Sequence, residues 1–270
     1  GQRGNIDNSG ANAVDIDLIP VSAVDHIEVL KDSAAAQYGS DAVAGVINII
    51  LKSSASGGHV ESSYGKLYSG QGESLKLAGD QGFKLGDSGF LHLSADARKR
   101  GAAAWNDKAD SSVRAFTDPA KQAAWDRVAI KNGDPELKAF NLAYNAELPL
   151  DALTLYSYAT YGEREAEAYN YFRLPTGTAS VPELFPDGYY PLNNIKDRDY
   201  QFLFGGKGER ADWHWDLSTT YGRNNIHHSS DFNINPSLGT ATPTKFDNLA
   251  TFRFEQWVNN FDLTLSLIHI

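Results

Sequence analysis

From Gly58 onward the chain alternates apolar and polar residues with a period of two, the pattern of strands whose two faces meet different surroundings. Leu75, Leu77, Gly79, Gln81 and Phe83 oppose Ser74, Lys76, Ala78 and Asp80. Leu91, Leu93, Ala95 and Ala97 oppose His92, Ser94, Asp96 and Arg98. Further on, Phe140, Leu142, Tyr144, Ala146 and Leu148 oppose Asn141, Asn145 and Glu147, and Tyr200, Phe202, Phe204 and Gly206 oppose Gln201 and Lys207, with Leu203 breaking the polar row. Trp213, Trp215, Leu217, Thr219 and Tyr221 oppose His214, Asp216, Ser218 and Thr220; Phe261, Leu263, Leu265 and Leu267 oppose Asp262, Thr264 and Ser266. Leu153 to Glu165 is also strand-like, but its outer face is open between Tyr156/Tyr158 and Leu153/Leu155. With a weak first strand over His59 to Lys66, the pattern predicts about eight strands.

Short turns (Gly86 to Gly89, Pro149 to Asp151, Glu209 to Ala211) alternate with long connections, roughly Gly101 to Glu136, Ala166 to Lys196 and Ile226 to Leu249. The long ones come after every second strand and so share one side. Strands this long, with tight turns on one side and long loops on the other, fit a transmembrane β-barrel better than a sandwich. Before Gly58 the rhythm differs. Gly1 to Ala13 reads as loop, Asp25 to Leu30 as a strand, Asp32 as the cap of a short helical turn through Gln37 that Gly39 stops, and Val43 to Leu51 as a second strand, apolar enough to be buried on both sides. Gly57-Gly58 separates this small α/β unit from the alternating strands, and limited proteolysis of the isolated chain is expected to release the unit near Ser53 to Gly58.

Composition narrows the choices. Lys+Arg number 24 against 34 Asp+Glu, a net charge of −10, which repels nucleic-acid phosphates. No cysteine is present, which excludes disulfides, thiolate metal sites and cysteine nucleophiles. With 13 Phe, 13 Tyr and 5 Trp, the chain is far too aromatic for a disordered acidic tail. No apolar run approaches the length of a transmembrane helix. The absence of methionine and the loop-like opening lead us to expect a piece of a longer product.

The run Ile19-Pro20, Asp25 to Leu30 (DHIEVL) and Ala36 to Lys52 (AQYGSDAVAGVINIILK) resembles the closing half of the plug domain of TonB-dependent outer-membrane receptors. Ile27, Glu28, Val29, Leu30, Tyr38, Gly39, Gly45 and Asn48 carry the likeness as structural positions. Gly45 leaves room for a close neighbour, and Asn48 needs a partner in the unit's own backbone or in the wall. His26 stands where family members often carry Arg, and Asp32-Ser33 where they often carry Gly-Pro. The resemblance implies a mainly β protein: part of a small α/β plug domain over residues 1–57, then over 58–270 a partial transmembrane antiparallel β-barrel with about 8 of an expected 22 strands. It further implies the cell outer membrane, energy-coupled uptake of a scarce siderophore, vitamin or oligosaccharide, contact with outer-membrane lipid, and the TonB energy-transducing complex as partner, whose contact region the chain lacks. No enzyme activity, nucleic-acid partner or cofactor is expected. The alternative is a small eight-stranded outer-membrane barrel with a structural or adhesive role.

Other candidate chemistry is weaker. His227 and His228 point to opposite faces of a strand and have no third ligand at fixed spacing, so no metal site is expected. Glu163, Glu165 and Glu167 share one face and read as a lumen- or loop-facing acidic stripe, with no partner that would make them catalytic. Gly205 to Gly208 lies within a strand rather than between strand and helix, unlike a phosphate loop. Trp213 and Trp215 read as an interfacial girdle. The loop aromatics Trp105, Trp125, Phe172, Phe185, Tyr189 and Tyr190 are the ligand-binding candidates, since aromatic faces stack on rings of a bound molecule.

Overall fold

The computed structural model describes residues 5–6, 12–13, 16–31 and 45–265. The N-terminal part holds the short pair β1 (Asn5–Ile6) and β2 (Asn12–Ala13), in a segment that reads as loop in sequence. After the 3-10 turn Val21–Ala23 comes a separate antiparallel pair, β3 (Val24–Lys31) with β4 (Gly45–Leu51). The second strand of this pair is not buried on both sides as its composition predicts: Ile47 is 68% exposed, with Ile27 and Val29 also exposed. Two strands cannot cover both of their own faces, and none of the described residues covers this one. Gly45 has the expected reason. Its φ is 141°, and a Cβ there would stand 2.5 Å from the Leu30 carbonyl oxygen. The helical turn expected over 32–37, with Tyr38 and Gly39, lies outside the described residues.

Eight further strands form one antiparallel wall. They are β5 (Gly58–Gly65), β6 (Ser74–Leu85), β7 (Gly89–Arg100), β10 (Glu136–Leu150), β11 (Leu153–Tyr169), β12 (Leu192–Arg210), β13 (Trp213–Asp231) and β14 (Lys245–Leu265). Their order across the sheet is β14-β13-β12-β11-β10-β7-β6-β5. Each pairs with its chain neighbour, except that β7 and β10 pair across an insertion. That insertion is not the structureless loop its sequence predicts. It holds the hairpin of β8 (Ala103–Lys108) and β9 (Val128–Asp134) and the short helix α1 (Pro119–Ala124), whose Asp118 cap accepts from Ala120 N at 2.8 Å.

Register assigns every side chain of the wall to one face. Asp96 pairs with Asn141, Asn141 with Gly162, Gly162 with Asp199 and Asp199 with Asn224, so these five share the inner face. Leu93, Tyr144, Ala159, Phe202, Tyr221 and Trp257 form a parallel row on the outer one. The inner face is buried and polar: His92, Ser94, Asp96, Asn141, Thr160, Asp197, Asp199, Gln201, Ser218, Thr220 and Asn224 are all covered. The large exposed apolar residues of the wall fall mostly on the outer face, among them Leu93, Leu142, Phe202, Trp257 and Leu263. This inversion is stable only if the outer face meets lipid, where backbone groups must be satisfied within the sheet itself. The ambiguity of β11 resolves the same way. Tyr156 and Tyr158 register with Glu147 and Asn145 inside, which leaves Leu153 and Leu155 outside.

Facing is directly measurable, because the chain has no native cysteine. Single cysteines at Leu93, Leu142 and Phe202 should react with bilayer-soluble thiol reagents and resist aqueous ones, and cysteines at Ser94, Ala143 and Gln201 should not react from the lipid phase. Equal labelling of the two sets would show that the wall has no lipid face.

Candidate functional site

Two places gather functional groups: the contact between the N-terminal unit and the inner face, and the long-loop end of the wall. The first begins at Leu18, which is fully buried. It approaches so closely that a Cβ at Gly162 would stand 2.7 Å from that of Leu18. Beside it the Asp17 carboxylate accepts from Arg98 at 2.8 Å and lies 3.7 Å from Arg164, which donates to Asp197 at 2.9 Å. Asn224 donates to the other Asp197 oxygen at 2.9 Å, and Asn141 donates to Asp96 at 3.1 Å. The Ser22 hydroxyl donates to the Ala95 carbonyl at 3.2 Å. Wall strands β7, β10 and β11 thus meet residues 17–22, and β12 and β13 stand behind them through Asp197 and Asn224.

A second group fastens the exit of the unit, where β4 runs into β5. Lys52 Nζ lies 2.7 Å from Asp80, and His92 Nε2 lies 3.0 Å from the other Asp80 oxygen. His92 Nδ1 is 3.0 Å from the Ser54 hydroxyl and 3.1 Å from its carbonyl. Asp80 and His92 are 5% and 2% exposed, so the pair is nearly removed from water. Asn145 donates to the Lys52 carbonyl at 3.1 Å, the Gly82 amide to the Gly57 carbonyl at 2.8 Å, and the Lys52 amide to Ala23 O at 2.9 Å, which ties the two contact segments together. Gly82 is required here: any Cβ would collide with the Ser54 carbonyl oxygen and the Ser56 amide.

The plug-like residues contribute to the unit itself. Ile27, Glu28, Val29 and Leu30 lie in β3, and Gly45 and Asn48 in β4. Asn48 finds its partner neither in the backbone nor in the wall. It donates to Glu28, directly opposite in register, at 2.9 Å. His26 makes no contact with the wall among the described residues: it sits 2.7 Å from Asp25, whose carboxylate raises the imidazole above its ordinary pKa, and 3.6 Å from Glu28.

At the long-loop end, five of the six aromatic candidates pack on one another. Trp125 stacks on Phe172 with centroids 6.1 Å apart, and Phe172 tilts against Tyr190 at 5.0 Å. Lys131 Nζ lies 4.1 Å and 4.2 Å from the ring centroids of Tyr169 and Tyr190, a pair of cation–π contacts. Phe185 stacks on Tyr189 at 4.3 Å, and Tyr189 is buried with Val181 and Ile234. The Tyr189 and Tyr190 hydroxyls donate to carbonyls of Ala179 and Val128, and burial raises both phenol pKa values. Trp105, on β8, is 59% exposed. The Glu163/Glu165 stripe faces outward rather than into the lumen, held by Lys196 and Arg198 at 2.6–2.9 Å. His227 and His228 separate to opposite faces, and no cluster of three or more metal-ligating side chains occurs among the described residues. Lys207 of the glycine-rich run donates to Glu147 at 2.8 Å inside the wall.

Nothing in the sequence marks Asp80, His92, Arg164 and Asp197 as site residues. Their inward phase is legible from the alternation, but a single strand does not say which inward residues meet the N-terminal unit.

Comparison with known proteins agrees with this architecture. Residues 2–46 match the TonB-dependent receptor plug domain. The vitamin B12 transporter BtuB of Vibrio vulnificus is 45% identical over 62 residues, covering 23% of this chain and 9% of the relative. BtuB of Photobacterium profundum is 26% identical over 203 residues, covering 64% of this chain and 32% of the relative. The chain therefore spans a third or less of these curated relatives. Among solved structures, a mutant of the ferric enterobactin receptor PfeA from Pseudomonas aeruginosa, in complex with enterobactin, superposes with a TM-score of 0.57 at 17% identity, over 93% of this chain and 35% of that one. The plug-domain match over residues 2–46, followed by an outflow pinned to the polar face of the wall, makes this chain similar to part of a TonB-dependent receptor.

Proposed function

We propose that the protein of which these residues form the plug exit and the first eight wall strands takes up a scarce ligand of the siderophore or vitamin class across the outer membrane, driven by the TonB complex. Residues 1–57 serve as the plug part and 58–270 as the wall. The observation that carries this reading is the polar seam between them. Asp17, Ser22, Lys52 and Ser54 bond to Arg98, Ala95, Asp80 and His92 on a face that in a lipid-embedded barrel looks into the lumen. A lumen filled in this way blocks free diffusion, so passage requires rearrangement and an energy source. Hydrogen bonds to charged groups hold at rest, yet their loss is offset when water replaces them, which suits a seam that has to yield. The vitamin class is supported by the BtuB relatives and the siderophore class by the fold shared with PfeA. An oligosaccharide is a third ligand class that exposed loop aromatics would suit.

A small structural or adhesive barrel of eight strands is the competing reading, and the occupied inner face argues against it. Such a barrel has an interior just wide enough for its own side chains and leaves no space for Leu18, Pro20 and the segments around them.

Uptake of labelled ferric siderophore and of labelled cobalamin by cells expressing the full-length protein separates the two. One of these ligands should accumulate, and removing TonB should abolish accumulation while surface binding persists. Accumulation indifferent to TonB, or binding of neither ligand, would contradict the proposal. Within the seam, Asp80→Ala leaves Lys52 and His92 without their shared carboxylate. It should cost about 1–3 kcal/mol of stability, measured by denaturant unfolding in detergent micelles, because water in the lumen softens the loss expected of a fully buried pair. At the loop end, Trp105→Ala should weaken ligand binding by about 0.5–1.5 kcal/mol without lowering the melting temperature, whereas Tyr189→Ala should lower the melting temperature because its ring fills a loop core.

A further inference from the structure

We propose that the outer face of β6, β7 and β10 seats one phosphate-bearing lipid of the leaflet on the long-loop side, its acyl chain lying in a furrow of small residues and its phosphate held between Lys99 and Lys138. Such a seat rests on the reading of the outer face as membrane-embedded and adds to it one position for one lipid.

The furrow comes from register. Leu77, Ala97 and Phe140 lie side by side on the outer face, as do Gly79, Ala95 and Leu142 in the next row toward the short turns. Ala97, Ala95 and Gly79 thus leave a channel between bulkier neighbours. It opens into an apolar depression of about 830 Å³ lined by Gly79, Leu93, Ala95, Leu142, Tyr144 and Ala159. In a bilayer such a depression is filled by a lipid chain, because an empty one forfeits contacts on one side.

The head of the furrow carries two cations. Lys99 comes after Ala97 on the same face, and Lys138 stands directly opposite it in register. Both are exposed. Like charges directly opposite one another on adjacent strands destabilise a sheet unless an anion sits between them. The neighbouring strands show what local compensation looks like: Lys196 and Arg198 are gripped by Glu163 and Glu165 at 2.6–2.9 Å. Glu165 is the residue opposite Lys138 on its other side, and its carboxylate is taken up by Lys196 at 2.6 Å. Among the described residues the carboxylate within ion-pair reach of Lys138 is Glu136, at 3.6 Å, and Lys99 has none. The chain carries a net charge of −10, so no overall excess of cations accounts for this pair. Cross-strand Cβ atoms lie about 5 Å apart, close enough for both ammonium groups to reach one phosphate. From Ala95 to Lys99 the strand rises about 13 Å, which sets the phosphate at the interface with the chain beneath it, the lysine stems covering the upper part.

The test is native mass spectrometry of the full-length protein in an uncharged detergent, with phosphatidic acid, diacylglycerol of the same chains, or inorganic phosphate added. Phosphatidic acid should be retained in preference to diacylglycerol. K99Q and K138Q should each reduce its retention about fivefold, and the K99R/K138R protein should keep it. A95L, which fills the furrow without touching charge, should also reduce retention. Equal retention of the two lipids, retention unchanged by K99Q/K138Q, inorganic phosphate bound as well as the lipid, or dimers in place of lipid adducts would each overturn the proposal while leaving the membrane wall intact. Failure to retain any lipid, with the protein staying soluble once detergent is withdrawn, would overturn both.

Discussion

A bilayer offers backbone amides and carbonyls no water to bond, and the rest of this structure depends on how the wall meets that condition. Seven consecutive strand pairings satisfy the main chain within the sheet, which frees each strand to present a different chemistry on its two sides. Leucine, phenylalanine and tryptophan go outward, where a soluble protein would place charge. Asp96, Asn141, Asp197 and Asp199 go inward and are buried. The two outermost strands of the sheet, β5 and β14, have no further described partner on their free sides, and an edge of this length is a pairing surface by its nature.

The polar inner face in turn determines how the N-terminal unit can be held. Apolar packing would require an apolar lumen, which would close on itself. Here the grip comes from charge-assisted hydrogen bonds at two points, Asp17 on Arg98 and Arg164, and Lys52 with Ser54 on Asp80 and His92. Leu18 and the glycines at 162 and 82 add shape to this chemistry by allowing the chain to approach the wall more closely than a side chain would permit. Between the two parts, Ser54 and Gly57 bond to His92 and to the Gly82 amide, so the segment that joins the unit to the wall is also held on it.

The wall is legible in the sequence because period-two alternation is a local signal, visible in every strand without knowledge of its neighbours. It predicts the outward rows of β6, β7, β10, β12, β13 and β14, and it leaves β11 undecided where Tyr156 and Tyr158 alternate with Leu153 and Leu155, all of them at home at either face. Register with Glu147 and Asn145 decides it, and register is a pair property that no single strand contains. The same limit explains why the sequence points Asn48 to the backbone or the wall when its partner is Glu28 across the hairpin, and why it places the acidic stripe at Glu163 and Glu165 without Lys196 and Arg198. The hairpin of β8 and β9 is invisible in sequence because Ala103 to Lys108 is too short and too polar to alternate clearly. The loop aromatics are recognisable as a group. Which of them pack together and which one, Trp105, stays exposed depends on contacts between distant segments.

The plug-like unit is fastened to the inner face of a wall whose outer face is lipid. A short thiol–thiol cross-linker tests this most directly in a chain without cysteines of its own. In cells expressing the full-length protein, cysteines at Ser54 and His92 should couple efficiently. Cysteines at Ser54 and Leu93, one residue along the strand and on the opposite face, should not. Coupling of Ser54 to position 93 as readily as to position 92, or to neither, would contradict the account.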